Sequence, residues 1–144
     1  MNDYRKTVEI RWSDLDPNFH LRHSVYYDWG AFVRMSFLTE YGLGPAIMLQ
    51  NNIGPVILRE EAIFKREIRF EDKVEVSLCL AKSTKDAGRW TMVHEIWKNK
   101  DTLSALLTID GAWLDTQKRK LAIPPPLFFG KFDMIPKTEN FAWA

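Results

Sequence analysis

The stretch Arg11-Trp12-Ser13-Asp14-Leu15-Asp16-Pro17-Asn18-Phe19-His20-Leu21-Arg22-His23-Ser24-Val25-Tyr26-Tyr27 sets the organisation of the chain. It gathers two carboxylates, two of the three histidines and a proline between a strand pattern and a helix pattern. Upstream, Thr7, Val8, Ile10 and Trp12 stand among charges over residues 5–12, a short strand with imperfect alternation. Ser13–His23 is rich in Asp, Asn and Pro, whose side chains and fixed φ favour turns. From Ser24 the period changes: Tyr26, Trp29, Val33, Phe37 and Tyr41 recur every three to four residues, and Val25, Phe32 and Leu38 widen the stripe. Only Asp28, Arg34 and Glu40 bring charge, so this helix is expected to be enclosed all round. Gly30 costs about 1 kcal/mol against Ala in a helix, which is tolerable where another backbone approaches. Gly42 and Gly44-Pro45 end the helix.

Beyond it the chain reads as strands. Ala46–Asn52 is a short helical turn or loop, and after Gly54-Pro55 period two takes over. Val56–Phe70 is expected to be one long strand, bulged near Glu60-Glu61, with Phe64, Arg66, Ile68 and Phe70 on one face. Glu71-Asp72-Lys73 turns the chain into a strand carrying Val74, Val76, Leu78 and Leu80. Lys82–Gly88 is a polar connection, Arg89–Lys98 a strand with Trp90, Met92, His94 and Ile96 on one side, Asn99–Asp101 a hairpin turn, and Leu103–Leu114 the last strand. Short links imply antiparallel meander pairing, and a helix on one face of such a sheet is the α+β solution. Residues 118–144, with Pro124-Pro125-Pro126 extended and Leu127, Phe128, Phe129, Phe141 and Trp143 following, form an extension expected to pack on the body or on a neighbouring subunit.

The totals narrow the function classes. A chain of 144 residues is a single domain, 1–144, with enough length to bury a core. Twenty basic against nineteen acidic side chains leave a net charge of +1, so no electrostatic case exists for nucleic acid or for an anionic membrane. No run approaches the roughly 20 apolar residues of a membrane span. Cys79 is the only cysteine, which fits a reducing, cytoplasmic setting. Six Trp and nine Phe are a large aromatic load for one small domain and point to a buried subunit interface.

Asp14 and Asp16, two apart, face the same way on an extended segment. They can serve as turn and cap acceptors, or as acids beside the free N–H groups of a helix N-terminus. In the second arrangement a carboxylate attacks an acyl carbon or activates water while a helix N–H polarises the carbonyl. A thioester suits so sparse a site, because its thiol leaves with a pKa of about 8.5 and needs no obligatory protonation. Asp14, Asp16, His20 and His23 are metal-ligand types, but their spacing matches no specific zinc signature and no metal is expected. Ser24 lacks a nucleophile elbow, and no phosphate-cradling glycine loop is present.

At Arg11, Asp14, Asp16, Pro17, His20 and Tyr26 the chain resembles the hotdog-fold acyl-CoA thioesterases of the 4-hydroxybenzoyl-CoA thioesterase type. Pro55-Val56 and Arg69-Phe70-Glu71-Asp72-Lys73-Val74 also resemble that family's second and third strands. The resemblance runs to about Leu114. It implies an antiparallel sheet of about five strands wrapped around one long central helix, assembled as a homodimer or homotetramer with sites at the subunit interface. It implies hydrolysis of an acyl-CoA thioester to free acid and CoA without a cofactor. Asp16 would be nucleophile or general base, and the backbone N–H of His23 would polarise the thioester carbonyl. His20, Phe19 and Tyr26 would touch the acyl group, and Lys82, Lys85 and Arg89 would hold CoA. Phe19 replaces the family's frequent Gly and Arg22-His23 its frequent Asn-Asn, so Phe19 is expected to alter the turn or partly fill the acyl pocket. Two other readings stand beside hydrolysis. One is an enoyl-thioester hydratase using Asp16, Asn18 and His20, although the Asn-to-His spacing is a residue short. The other is a hotdog domain that binds an acyl ligand or partner without catalysis.

Overall fold

The computed structural model describes residues 3–144. Its element order is β1 (Arg5–Val8), a 3-10 turn (Trp12–Asp14), α1 (His23–Glu40), α2 (Pro45–Gln50), β2 (Ile53–Phe64), β3 (Val74–Ser77), β4 (Cys79–Ser83), β5 (Arg89–Lys98), β6 (Thr102–Asp115), β7 (Lys120–Ala122), α3 (Pro126–Phe132) and β8 (Lys137–Trp143). Helical residues are thus divided between α1, of 18 residues, and two short helices of six and seven. None is long and apolar enough to cross a membrane.

The face of α1 that carries Val25, Tyr26, Trp29, Gly30, Val33, Arg34, Phe37 and Leu38 is buried. The other is not: Asp28, Ala31 and Glu40 are exposed, and Phe32 is 51% exposed. The expectation of a helix enclosed on every side is corrected here, because the sheet of one chain covers one face only. Gly30 does mark a close approach, but of side chains. A Cβ there would lie 3.1 Å from His94 Cδ2 and 3.3 Å from Leu107 Cδ2, so β5 and β6 press directly on the helix.

The sheet has eight strands, not about five. β5 and β6 form a long hairpin closed by Asn99 and Lys100, both at positive φ, and their buried positions Met92, His94, Ile96, Ala105, Leu107 and Ile109 face α1 and the core. The strand expected over Val74–Leu80 breaks at Leu78, whose N–H turns aside to the Tyr4 carbonyl. β3 and β4 therefore flank the break, both paired to β5. β1 adds antiparallel to β3, while β8 adds to β4 in parallel, so the sheet is not a plain meander. Lys82 lies on β4 and not in the polar connection, which shrinks to the turn after Ser83.

β2 ends earlier than its alternation suggests. It pairs with β6 from Ile53 to Phe64, and its bulge falls between Ile57 and Arg59, not at Glu60-Glu61. Past Phe64 the N–H groups of Lys65 and Arg66 both turn to the Ser104 carbonyl. Ile68 is buried while Arg66 and Phe70 are exposed, and this segment pairs instead with the turn: Leu21 N–H donates to Ile68 O at 2.7 Å, and His20 bridges Arg69. Among the described residues, the outer edge of β2 has no strand partner.

The C-terminal residues close the far end of the sheet. β7 pairs with Trp113–Asp115. Phe128 and Phe132 of α3 pack on the Trp113 ring at 5.2 and 6.1 Å between centroids. Each buried phenyl contributes about 2 kcal/mol of apolar transfer. Trp90 spreads over Gly111, where a Cβ would fall 2.2 Å from the indole, so only glycine fits there.

Candidate active site

The turn is built on Asp14. Its carboxylate is 1% exposed and accepts the Arg11 N–H at 2.9 Å and the Arg11 guanidinium at 2.9 Å. Its own carbonyl takes the Arg22 N–H at 2.7 Å, tying the end of β1's extension to the start of α1. Burial pushes the Asp14 carboxyl pKa up, but the Arg11 hydrogen bonds outweigh it and hold the group below the usual carboxylate range. Asp14 and Asp16 do not face one way. The 3-10 turn rotates Asp14 inward, and Asp16 stays half-exposed.

Asp16 closes the next loop. Its N–H donates to His20 O at 2.8 Å, its carbonyl accepts the Phe19 N–H at 2.9 Å, and Oδ1 accepts the N–H groups of Asn18 and His20 at 2.9 and 3.1 Å. Oδ2 has no partner among the described residues. This is the Asx pattern that holds a short polar turn, and it fixes the carboxylate with one oxygen spare. Phe19 sits in it at φ +63°, the left-handed region where a glycine would be unstrained.

α1 begins immediately afterwards. Arg22 caps it without a side-chain hydrogen bond, and the first carbonyl contact is Val25 N–H to Arg22 O. The N–H groups of His23 and Ser24 have no acceptor among the described residues, as the first turn of a helix requires. The His23 ring is exposed. Tyr26, one turn on, is buried with its ring 5.0 Å from Phe64 at the end of β2. Its phenol pKa is pushed up to about 12 by burial and then by the charges of Asp16 and Glu67, which places the hydroxyl within the field of both.

Glu67 is the residue that pattern reading missed. Its Oε2 lies 3.1 Å from His20 Nε2, and Oε1 accepts from Arg69 at 2.9 Å. The Arg69 hydrogen bond is the main reason that the Glu67 carboxyl lies below its ordinary pKa. Alternation carries a strand pattern on to Phe70 and sets Glu67 within it, whereas β2 ends at Phe64 and Glu67 lies in the segment that follows. His20 thus meets Asp16 through its backbone N–H and Glu67 through its ring, while Tyr26 packs on Phe64 one turn into α1. The His20 ring engages Glu67 and not Asp16, whereas the Asn18 and His20 backbone N–H groups both meet Asp16 Oδ1.

Phe19 stands apart. It is 61% exposed, with its ring 6.2 Å from Trp12, and it lines an outer groove of about 450 Å³ with Trp12, His20 and Phe70 that neither Asp16 nor Tyr26 enters. The three basic residues also separate. Lys82 and Arg89 line one groove of about 480 Å³, where Arg59 joins them. Lys85 belongs to another cavity, of about 360 Å³, under α3.

A family model described as the thioesterase-like superfamily matches residues 10–132. The chain belongs to that superfamily. Solved structures similar to this thioesterase-like chain include a Staphylococcus aureus protein in complex with CoA, at TM-score 0.88 and 16% identity over 98% of this chain and 90% of that one. A DHNA-CoA thioesterase from Staphylococcus aureus superposes at TM-score 0.83 and 18% identity, over 92% of this chain and 90% of its own. A 1,4-dihydroxy-2-naphthoyl-CoA thioesterase from Synechocystis gives 0.81 and 14%, over 92% and 97%. At these identities the likeness speaks for the fold, which is the thioesterase hotdog with its antiparallel sheet. No curated protein matches the sequence.

Proposed function

We propose that the protein hydrolyses an acyl-CoA thioester to a free acid and CoA, with Asp16 as the working carboxylate. The observation that carries the reading is the state of that carboxylate: Oδ1 is pinned by two backbone N–H groups and Oδ2 is unengaged, in the turn that leads into α1 and its unpartnered first N–H groups. The thioester carbonyl would accept from the His23 N–H, whose partial positive charge favours the oxyanion. Asp16 would attack the acyl carbon or take a proton from water. The C–S bond breaks, thiolate leaves, and water supplies the new oxygen of the acid. Superfamily membership supports the thioesterase class, and a similar protein in complex with CoA supports the ligand.

Lys82 and Arg89, with Arg59, are the proposed CoA phosphate contacts, with Lys85 outside their groove. His20 and Tyr26 are proposed to border the acyl group, with Phe19 at the outer rim. The active form is proposed to be a homodimer, or a pair of dimers, joined through the open edge of β2. Ile57, Leu58, Ile63 and Phe64 on that strand are all about half exposed, and an apolar, unpaired 12-residue edge is a template for a second copy. Cytoplasmic operation belongs to the same proposal, since the lone Cys79 thiol persists best there.

The test is thiol release from a panel of acyl-CoA esters. Asp16→Asn should lower kcat by about 10²- to 10⁴-fold, the usual weight of a positioned acid or base. Unchanged turnover in that variant removes Asp16 from the chemistry.

A further inference from the structure

Arg34 lies in the middle of α1 and is 9% exposed. No carboxylate forms an ion pair with it among the described residues. Its partner is His94, also buried: Arg34 Nη1 is 2.9 Å from His94 Nε2, and His94 Nδ1 is 2.8 Å from the Ser77 carbonyl. A carbonyl accepts only, so Nδ1 carries the ring proton and Nε2 accepts from the guanidinium. That uses one of five guanidinium N–H groups. Burial works against the Arg34 charge, and only the more distant Glu60 on β2 supports it. Its Nε and Nη2 have no acceptor among the described residues and are not sealed from solvent, so a ligand that reaches them can supply the missing acceptors.

Arg34 also lines a cavity of about 160 Å³ between α1 and the sheet. The other walls are apolar or aromatic, with Met35, Pro55, Ile57, Trp90, Trp113 and Phe132 among them. Trp90 Nε1 and Trp113 Nε1 are themselves buried without acceptors. The walls therefore hold a surplus of donors and no carboxylate.

Pro55 and Ile57, at the exposed start of β2, form the side of the cavity nearest the open sheet edge. The other end of β2 is Phe64, against Tyr26 at the catalytic turn. Antiparallel pairing of two β2 edges across a two-fold axis sets the start of one strand beside the end of the other. Each Arg34 cavity then adjoins the Asp16 turn of the partner chain.

Resting on the thioesterase reading above, we propose that this cavity receives the far end of the acyl group and that Arg34 reads a terminal carboxylate there. The substrates are then short acyl-CoA thioesters that end in a second carboxylate. At about 30 Å³ per water-sized group the cavity has room for roughly five such groups, enough for a carboxylate and two or three methylenes.

The test compares kcat/KM for glutaryl-CoA and valeryl-CoA, which differ in the terminal carboxylate, in the full chain and in Arg34→Met and Arg34→Lys. The full chain should favour glutaryl-CoA by about tenfold or more, the scale of one charge-assisted hydrogen bond pair. Arg34→Met should abolish or invert that ratio and Arg34→Lys should keep part of it. An equal ratio in wild type and Arg34→Met, or a wild-type preference for valeryl-CoA, overturns the proposal. Should Arg34→Met fail to fold, Arg34→Lys carries the comparison. If no thioester is cleaved, the hydrolase reading fails separately, and thermal shift with free glutarate decides the cavity: stabilisation that needs Arg34 supports carboxylate recognition, and no stabilisation refutes it. Stabilisation by glutarate without any substrate preference assigns the cavity to a free acid and overturns the acyl part.

Discussion

His94 should make the fold acid-sensitive in a window where few other groups change state. Its ring is fully buried, its Nε2 faces the Arg34 guanidinium, and burial first and that charge second pull its pKa down from 6.5 to about 3. In the unfolded chain the same imidazole titrates near 6.5. Below that pH the unfolded state binds a proton that the folded state refuses, so stability falls as pH falls, from about 7 down toward the folded value. Between pH 7 and pH 5 the ratio of unfolded-state binding polynomials is about 25, which is about 2 kcal/mol. For a domain of this size that is roughly a 6 °C drop in Tm. Carboxylates change little over the same range, because their unfolded pKa values lie at about 4. The measurement is urea unfolding at half-unit pH steps for the wild type and His94→Gln. Every other ionisable group is present in both proteins and cancels in the difference. The Gln variant should start less stable and lose about 2 kcal/mol less across the window. Parallel pH curves for the two proteins would show that His94 is either reachable by protons or not neutral in the fold.

Two further outcomes follow from the turn and the sheet edge. Asp14→Asn removes charge-assisted bonds to Arg11 while keeping the side-chain shape, and should cost about 1–2 kcal/mol at pH 7 after allowing for screening at the exposed Arg11. Because the folded Asp14 pKa is depressed, the gap to wild type should close as pH falls below about 4, which acid-range urea melts will show. Ile57→Lys combined with Ile63→Lys places charge on the open β2 edge and should yield a monomer by light scattering that retains its far-UV circular dichroism but loses thiol-releasing activity. A dimer that survives both lysines rules out the β2 edge as the interface.

The alternation of β5 and β6 was legible because each buries one face against α1 over most of its length, so periodicity and burial coincide. The helix was legible for the same reason on one side only. Phe32 reads as core from its spacing but lies on the face of α1 that the sheet leaves uncovered. β2 was drawn too long because Arg66, Ile68 and Phe70 continue its alternation after the backbone has turned to Ser104. What ends the strand is the tertiary pairing of Ile68 and Arg69 with the Leu21 and His20 backbone, which no local pattern encodes. Residues 120–143 hid β7, α3 and β8 for another reason. Three prolines suggested an extended segment, yet Pro126 is the first residue of α3, a position where the missing N–H costs nothing. Within the turn, spacing alone leaves Asp14 and Asp16 equivalent, and only the family resemblance singles out Asp16. The 3-10 rotation after Arg11 that buries Asp14 has no local sequence signal.

The two aspartates divide the hydrogen bonding of the exposed turn between them. A single aspartate cannot anchor a turn with both oxygens and also keep one free for chemistry. Asp14 is buried and fully engaged, and it joins Arg11 to Arg22 at the helix start. Asp16 then needs only Oδ1 to shape its loop, leaving Oδ2 available. The His20–Glu67–Arg69 chain adds a brace from the segment after β2, so the loop is fixed to the sheet as well as to the helix. Glu67 adds negative charge to the surroundings of Tyr26. The N-terminus of α1, with its free first N–H groups, carries a dipole of the opposite sign. On the proposed reading it is this helix end, and not the carboxylate side of the turn, that would polarise a thioester carbonyl, with Tyr26 and Phe64 packed together one turn further on.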